Sequence, residues 1–476
     1  MKHHRWIAPA AVLGACAATR AWNSYRRPWR VPTGYHPGPL FLEGADAIPM
    51  LGYATRLRDF ATRPVEMIDR ASRRHGEVVT IRIPGRYDLT YLNHPDGYHT
   101  VLSLPTDHGS VGPVLGLVPT VGFWFPRNGR DPDSLQALGI VGKRILAGFL
   151  APDRAATVST MIPPILDAHL RGWPEVTDLA THLYPAVYEI AGRYFTGDRF
   201  WDRYGARLVP LLRPIAEEID VPRAALAATP LYRFMPEYHA TGKLDALLTR
   251  ALRDMPDVPF IQEIRAAGVG DADLTWMMMY VLWNAVTYPG SYTLWTLVDI
   301  LADPRIRRAI AESPDREEYL GWCAWETIRL NPVSALIRWL QKPLTYTASD
   351  GTRYYIPENT IVGAFPYLLN RDPHRWPEPD RYLPERFRDI PSPRTALFGT
   401  GPFGCVAGEF SRRLIAGVCG HLLDDRSVEL MAPVPAKVCR VHLTYPSTPI
   451  WARIVNGAGD ADYVARGTSE HLRRST

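Results

Sequence analysis

The chain has 476 residues, of which 46% are hydrophobic and 22% are charged, and its formal net charge is +5. This is enough apolar material for one large domain or two to three smaller ones, and the composition is that of an ordinary globular protein. The mild charge, with no dense basic stripe, argues against nucleic acid as a partner.

The five cysteines are widely and unevenly spaced: Cys16, Cys323, Cys405, Cys419 and Cys439. They include no C-x-x-C pair, so we do not expect a structural zinc site. Their odd number and scattered spacing argue against a disulfide scaffold and for a reducing compartment. We therefore expect one cysteine to carry chemistry and the others to be small, buried, apolar side chains.

Residues 1–30 form a distinct leader. A basic start precedes an apolar run from Trp6 to Thr19, and arginines follow that run. The run is shorter than the roughly 20 residues that span a bilayer. It is compatible with a signal-like segment, an interfacial anchor or an amphipathic leader, so a membrane surface is a candidate partner. The arginines favour a cytoplasmic location for residues 31–476, which we expect to form one domain.

The pattern of apolar residues predicts a mainly helical fold with minor sheet. Residues 76–95 alternate apolar and polar side chains on both sides of Pro84–Gly85, which predicts a β-hairpin. Residues 135–320 show helical periodicity. Strand-like pieces return at residues 352–357, 360–365 and 439–445. The sequence shows no obvious internal boundary.

The stretch "LFGTGPFGCVAGEFSRRL", residues 397–414, places Cys405 among glycines directly before a helical pattern. Gly399, Gly401 and Gly404 would let the backbone pass close to a flat group and turn its N–H groups towards one sulfur. A thiolate ahead of a helix N-terminus is stabilised by the helix dipole and by free N–H groups, so it can ligate a metal. Taken alone, a glycine-rich turn with a buried cysteine is the alternative.

Two further motifs make the pattern specific. "WETIRLNP" places Glu326 and Arg329 three residues apart on one helical face, and "RDPHRWPEPDRYLPERF" contains a Pro-Glu-Arg-Phe motif that includes Arg386. An isolated pair at this spacing is commonplace. The order Glu-x-x-Arg, Pro-Glu-Arg-Phe, Phe-x-x-Gly-x-x-x-Cys, however, resembles the cytochrome P450 family of haem-thiolate enzymes. The resemblance covers roughly residues 31–455.

The resemblance implies a mainly α fold with minor β, forming a single large domain that encloses haem b (iron protoporphyrin IX). It implies that Cys405 is the axial thiolate on the haem iron. Glu326, Arg329 and Arg386 would form a buried charge network behind the cysteine loop. The remaining haem contacts that it implies are Arg338 at one propionate, Phe398, Gly401, Phe403 and Ala407 in the loop, and Lys143 or Arg144 at a second propionate. A solvated helix face is the alternative for the last pair.

Two loop positions depart from the family pattern. Phe403 stands where the family usually has arginine or histidine, so one charge partner of a propionate is lost. Ala407 stands where the family usually has glycine, and its methyl group could set the helix slightly further from the haem. Haem retention would then depend on Arg338 and on apolar contacts.

The helix expected over the distal haem face departs further. Tyr288 and Pro289 occupy the places of the usual acid and alcohol, so Thr287, Ser291 or a bound water is left to deliver protons. Proline inside a helix removes an N–H and kinks the axis at a cost of about 3 kcal/mol. The kink could open a groove for oxygen or substrate, or it could simply bend the helix around the core. We expect Thr287, Tyr288 and Pro289 to be the catalytic positions.

Pro289 also resembles a branch of the family that contains sterol 7α- and 12α-hydroxylases and prostacyclin synthase. That branch includes both hydroxylases and an isomerase, so the proline does not fix the reaction. The resemblance implies an oxidoreductase, a monooxygenase that oxidises a hydrophobic small molecule with dioxygen and electrons from a ferredoxin or flavoprotein reductase. Arg412 and Arg413 could help such a donor to dock, or they could be ordinary surface arginines.

Two alternatives to the monooxygenase stay open. One is an isomerase, dehydratase or peroxygenase that uses the same iron without redox partners, which the loss of the acid–alcohol pair favours. The other is a haem-binding or sensor protein without catalysis, for which Phe403 and Ala407 are weak indications. The sequence does not identify the substrate.

Overall fold

The computed structural model describes residues 28–42, 59, 63–83, 87–115, 132–217, 226, 230–332, 336–390, 397–424, 426–439 and 443–456. Most of the predicted leader, Cys16 included, and the turn of the predicted hairpin lie outside these residues. The helices are Pro64–His75 (α1), Pro95–Ser103 (α2), Gly112–Leu115 (α3), Pro132–Phe149 (α4), Pro152–Ala156 (α5), Val158–Leu170 (α6), Leu179–Thr196 (α7), Asp198–Glu217 (α8), Pro236–Asp254 (α9), Pro259–Ala266 (α10), Asp271–Ala302 (α11), Pro304–Glu312 (α12), Arg316–Leu330 (α13), Pro366–Leu369 (α14) and Gly408–Asp424 (α15).

The strands are short. They are His36–Pro37 (β1), Val78–Ile83 (β2), Tyr87–Leu92 (β3), Gly109–Ser110 (β4), Val176–Asp178 (β5), Leu336–Leu340 (β6), Leu344–Thr347 (β7), Arg353–Ile356 (β8), Ile361–Ala364 (β9), Arg426–Leu430 (β10), Lys437–Cys439 (β11), Thr444–Pro446 (β12) and Trp451–Asn456 (β13).

Local sequence signals account for where many helices begin. The fixed φ of proline suits the first helical position, where the missing N–H would have no partner in the helix. Helices α1, α2, α9, α10 and α12 all begin in this way. Asp178, Asp303 and Asp315 cap α7, α12 and α13, because each carboxylate accepts a hydrogen bond from a backbone N–H in the first turn.

The chain divides into two compact units. The first comprises residues 1–115 and 333–369. Its larger sheet has the strand order β2-β3-β9-β6-β4, in which β2 and β3 pair antiparallel and β3 runs parallel to β9. A second sheet has the order β1-β8-β7. Side chains from the larger sheet and from α2, among them Val78, Val101 and Val362, form the core of this unit.

The second unit comprises residues 116–332 and 370–476 and holds most of the helices. Its longest helix is α11, which is buried along most of its length and packs against α7, α13 and α15. A three-stranded sheet has the order β10-β13-β5, and β11 and β12 form a separate antiparallel hairpin. Trp295, Tyr188, Phe260 and Phe410 are among the largest fully buried side chains of the unit.

The predicted fold class, mainly helical with minor sheet, is confirmed. The two strands of the predicted hairpin are present. The described residues between 132 and 330 are helical apart from connections and β5, a strand that the periodicity did not indicate. No helix among the described residues is long and apolar enough to cross a membrane. The sequence shows no boundary between the units because residues 116–332 separate the two stretches of the first one.

The contact between α7 and α8 generates a test of this packing. A Cβ at Gly192 would overlap the ring of Trp201, so Gly192→Ala overpacks the pair and should cost about 1–3 kcal/mol. Gly139 in α4 is the matched control, because nothing lies within 4 Å of its added Cβ. Gly139→Ala should stabilise the protein by about 0.5–1 kcal/mol. Urea unfolding followed by circular dichroism checks both, and equal midpoints would contradict the packing.

Candidate functional site

The loop that carries Cys405 is shaped by two glycines. Gly399 and Gly401 have φ values of 73° and 71°, in the left-handed region where a side chain is strained. A short 3-10 helix follows at Gly401–Phe403. The N–H of Cys405 then donates to the carbonyl of Phe398 at 2.8 Å, which closes the loop directly before the cysteine side chain.

Cys405 is the exposed member of the three cysteine side chains that the structure describes. The backbone N–H of Ala407 donates to its Sγ at 3.4 Å, and α15 begins at Gly408. Cys323 and Cys419 are fully buried, and burial raises the pKa of both thiols. The loop therefore presents one accessible sulfur. That sulfur accepts a hydrogen bond from a backbone N–H just before α15 begins.

Neighbouring side chains hold this loop in place. The ring of Phe398 lies against Gly408, where an added Cβ would be 3.2 Å from the ring. Lys143 of α4 donates from Nζ to the carbonyls of Gly401 at 3.1 Å and Pro402 at 2.7 Å. The next residue on α4, Arg144, is exposed, and the side chain of Phe403 lies outside the description. Of the two predicted α4 residues, Lys143 is the one that binds the loop backbone.

Glu326 is the centre of a buried charge network. Arg329 donates to both of its carboxylate oxygens, from Nε at 2.7 Å and from Nη2 at 2.9 Å, and both side chains have no exposed surface. Nε of Arg386 donates to Glu326 at 3.0 Å, and so does the backbone N–H of Leu383 at 2.9 Å. The structure thus brings together the three network residues that the motifs predict.

The arginines of this network also bind backbone carbonyls between residues 370 and 387. Arg329 donates to Asn370 at 2.5 Å, to Pro379 at 2.8 Å and to Arg381 at 3.3 Å. Arg386 donates to Pro377 at 2.9 Å. These bonds fix a segment with little regular structure, because each guanidinium offers five N–H donors in a rigid plane.

Helix α11 carries the predicted distal residues, and it continues through Pro289 to Ala302. The hydroxyl of Thr287 is buried and has no hydrogen-bond partner among the described residues. Ser291 donates instead to the carbonyl of Thr444 at 2.9 Å. Of the two predicted alcohols, Ser291 binds a backbone carbonyl, whereas the hydroxyl of Thr287 has no hydrogen-bond partner among the described residues.

Two phenols of α11 lie close enough to Cys405 to sense its charge. Burial raises the pKa of Tyr280, and the sulfur of Cys405 raises it further. Burial also raises the pKa of Tyr288, and Tyr280 and Cys405 add to that effect. Both tyrosines therefore remain protonated at neutral pH and can donate hydrogen bonds. Tyr280 was missed by the sequence reasoning, although it lies two turns before Tyr288 on the same helix.

Arg338 lies in the first unit, on β6, and only 4% of it is exposed. Its Nη1 donates to the carbonyl of Ile337 at 2.8 Å. Burial lowers its pKa to about 10. A buried guanidinium is suited to an anionic partner, since a negative charge offsets the cost of removing the cation from water.

Arg412 and Arg413 lie in the first turns of α15, and both bind Glu409. Arg412 holds the carboxylate from two nitrogens at 3.0 and 2.8 Å, and Arg413 approaches it at 2.7 Å. Arg413 also lies 3.5 Å from Glu317. The surface near Cys405 is therefore a network of both charges rather than a basic patch.

These observations agree with a haem contact at the loop. Cys405 offers an exposed thiol with an N–H donor on its sulfur, and thiolates are haem ligands. The glycines at positive φ keep Cβ atoms away from the loop surface at Gly399 and Gly401. On α11, the hydroxyl of Thr287 is buried and has no hydrogen-bond partner among the described residues, which leaves it able to bind a water or a ligand.

Comparison with known proteins agrees with this geometry. Residues 307–447 match the family model of cytochrome P450. Among solved structures, the chain resembles retinoic acid bound cyanobacterial CYP120A1 with a TM-score of 0.65 at 15% identity, over 83% of this chain and 95% of that one. Residues 307–447 are thus similar to cytochrome P450, and the fold of the chain is that of a P450. The family and the fold imply a haem-iron cofactor.

Curated cytochrome P450 relatives match only part of this chain. It is 36% identical over 121 residues to the sterol 14-demethylase of Arabidopsis thaliana, covering 24% of this chain and 25% of that protein. It is 27% identical over 190 residues to the human 24-hydroxycholesterol 7-alpha-hydroxylase, covering 35% and 39%. The chain thus spans about a quarter to two fifths of the length of these two relatives.

The buried network around Glu326 generates the second prediction. Arg329→Ala leaves the carboxylate of Glu326 buried with one of its two arginines, so it should lower the free energy of unfolding by about 3–5 kcal/mol. Urea unfolding of the purified variant measures the change.

Arg381→Ala is the matched control for that variant. The Arg381 side chain is 59% exposed and pairs with an exposed Glu378, so its loss should change stability by no more than about 0.5 kcal/mol. If both variants lost the same free energy of unfolding, the buried Glu326 network would contribute no more to stability than an exposed ion pair does.

Proposed function

We propose that this P450 is a haem-thiolate monooxygenase that hydroxylates or otherwise oxidises a hydrophobic small molecule. The observation that carries the proposal is the accessible sulfur of Cys405, which receives an N–H from Ala407 and lies near the phenols of α11. The relatives named as a demethylase and a hydroxylase support the same reaction class. Dioxygen and electrons from a ferredoxin or a flavoprotein reductase are part of the proposal.

The proposed cofactor is haem b, with Cys405 as its axial ligand. Phe398, Gly401, Phe403 and Ala407 are the proposed contacts on the cysteine side, because the first three belong to the turn that leads to Cys405 and Ala407 donates its N–H to the sulfur. Arg338 is the proposed partner of one propionate, since it is a buried cation. Arg144 is exposed, so its proposed contact with the second propionate has the weaker basis.

The residues around Cys405 and on α11 have different proposed roles. When bound, a thiolate-ligated haem supplies oxygen-activating chemistry. The N–H of Ala407 stabilises negative charge on Cys405, and the Glu326 network fixes the segment at residues 370–387. Thr287 can hold a water or a proton at Oγ1, because nothing among the described residues occupies that hydroxyl.

An aromatic row on α11 supports a hydrophobic substrate. Trp276 stacks on Tyr280 with ring centroids 5.4 Å apart, and Trp283 lies 6.5 Å from Tyr280 and 6.2 Å from Tyr288. Such a row excludes water and offers rings and phenol hydroxyls to an apolar ligand. The hydroxylase and demethylase names of the relatives make sterol-like molecules the first compounds to screen.

A second candidate is an isomerase, dehydratase or peroxygenase that needs no redox partner. The observation in its favour is that α11 carries no acidic residue between Asp273 and Asp299. Tyr288 and Pro289 therefore have no carboxylate beside them on this helix. Chemistry that consumes no protons and electrons would tolerate that arrangement.

The assignment of the ligating sulfur has a direct spectroscopic test. Reduced protein with carbon monoxide should show the strongly red-shifted Soret band of thiolate ligation, and Cys405→Ser should abolish it. Cys419→Ser is the matched control, because Cys419 is buried and its Sγ lies 3.8 Å from the carbonyl of Thr293. A red-shifted band that survives in Cys405→Ser would refute the assignment.

A turnover experiment separates the two reaction classes. Compounds that bind, chosen from steroids, terpenes, fatty acids and polyketides, should give oxidised product only when NAD(P)H, a reductase system and dioxygen are all present. A hydroxylated product should gain the mass of one oxygen atom, and that atom should come from dioxygen. Equal turnover without electrons and dioxygen, either with no co-reactant or with hydrogen peroxide alone, would reject the monooxygenase and support the second candidate.

A further inference from the structure

The Cys405 loop, residues 397–407, contains no charged side chain of its own. The nearest charged residues in the sequence are Arg394 and Glu409. A cation favours negative charge on a neighbouring sulfur, so an uncharged loop gains from a positive side chain that another element brings to it. Lys143 of α4, more than 250 positions earlier, brings that charge to the loop.

Lys143 binds two consecutive carbonyls in the 3-10 turn of the loop. Its Nζ donates to the carbonyl of Gly401 at 3.1 Å and to the carbonyl of Pro402 at 2.7 Å. The Gly401 carbonyl also accepts the N–H of Gly404 at 3.2 Å, which closes the turn. A hydrogen bond from a charged donor is stronger than one from a neutral donor. The ammonium group therefore holds the backbone three and four residues before Cys405.

The backbone of the loop needs such an outside contact at the 3-10 turn. Its base is closed by the chain itself, since the N–H of Cys405 donates to the carbonyl of Phe398 at 2.8 Å. Between these two residues, Gly399 and Gly401 have φ values in the left-handed region. Glycine loses more conformational freedom on ordering than any other residue, so this stretch is costly to fix. The bonds from Lys143 offset that cost at the turn.

Helix α4 gives Lys143 a firm support. The helix packs against α10, and its backbone approaches α11 at Gly142. A Cβ added at Gly142 would lie 2.9 Å from Cε of Met277, a side chain of α11 that is 2% exposed. Protein interiors are close-packed, so a helix held in this way does not shift easily. Lys143 therefore fixes the loop to a part of the fold that is itself held in place.

We propose that Lys143 is a positioning residue for Cys405, which fixes the 3-10 turn, brings a positive charge to the loop and so stabilises the sulfur as a thiolate ligand. The proposal rests on the function proposed above, because it takes Cys405 to be the haem ligand. It replaces the role at a haem propionate that the resemblance implies for α4, because backbone carbonyls occupy two of the three N–H donors of the ammonium group.

The haem-loaded protein with carbon monoxide tests the mechanical part of the proposal. Lys143→Met keeps an apolar stem of similar length but removes the charge and both hydrogen bonds. In dilute urea, the red-shifted Soret band should disappear about ten times faster in this variant than in the parent, because the loop has lost its charge-assisted bonds. Lys143→Arg should restore the rate to within about threefold, because a guanidinium can donate to both carbonyls.

The reduction potential of the iron tests the electrostatic part. Reduction adds a negative charge at the haem, so a nearby cation favours the reduced form. The potential should therefore be more negative in Lys143→Met than in the parent, and it should return towards the parent value in Lys143→Arg. Reductive titration with redox dyes measures the change. A residue that only held the backbone would leave the potential where it was.

Lys342→Met is the matched control, since it is the same substitution with the same change in net charge. The Lys342 side chain is 50% exposed and pairs with the exposed Asp107 at 2.6 Å. Water and salt screen a charge at such a site, so the rate of band loss and the potential should both equal those of the parent. Equal effects of Lys143→Met and Lys342→Met would overturn the proposal, because the loop contact would then contribute nothing of its own.

Lys143→Gln provides the same test should Lys143→Met fail to take up haem. It keeps one neutral donor group, so it should lose the red-shifted band about three times faster than the parent. Amide hydrogen exchange over residues 398–407 reports separately on the loop backbone. Faster exchange with an unchanged rate of band loss and an unchanged potential would refute the proposal, because Lys143 would then serve the fold alone. A parent protein without the red-shifted band would instead defeat the proposed function itself.

Discussion

The carboxylate of Glu326 is the point on which the cysteine side of the second unit depends. It is fully buried, and it accepts hydrogen bonds from two arginines and one backbone N–H. A buried carboxylate is tolerated only where charge and hydrogen bonds replace water. The sequence provides this by placing Arg329 one turn away on α13 and Arg386 in a short 3-10 helix. The helix and the irregular segment are thus joined by one charged group.

The same interaction explains how a stretch with little helix or sheet can be ordered. Residues 370–387 lack the ladder that normally satisfies backbone carbonyls, and buried carbonyls require donors. Arg329 donates to three carbonyls of this stretch and Arg386 to another at Pro377. The Cys405 loop uses a different donor, Lys143 of α4, for its own carbonyls. The unit therefore fixes its irregular segments with cations carried on helices.

Features encoded by local spacing could be predicted from the sequence, and features made by distant contacts could not. The pairing of Glu326 with Arg329 follows from three residues of helix, and the mainly helical fold follows from periodicity. Lys143 and the carbonyls that it binds are more than 250 positions apart, and a lysine that serves this purpose has the same sequence signature as a solvated one. The strand β5 has three residues, too few for a period to show. In the sequence, Ser291 and Thr287 are equivalent alcohols. Only the fold distinguishes them, because it places the carbonyl of Thr444 within hydrogen-bond distance of Ser291.

Helix α11 poses the sharper chemical question, which is where the protons of the proposed reaction would come from. The nearest carboxylate after Thr287 on α11 is Asp299, twelve residues or about 18 Å along the axis, and it is bound to Lys437 and Thr327. The nearest one before it, Asp273, is about 21 Å away. No acid of this helix can therefore reach the Thr287 hydroxyl directly. Burial raises the pKa of Tyr280 and Tyr288, so their phenols can donate hydrogen bonds but release protons reluctantly. In the function proposed above, the proton donor is therefore a water held at Thr287 rather than a phenol.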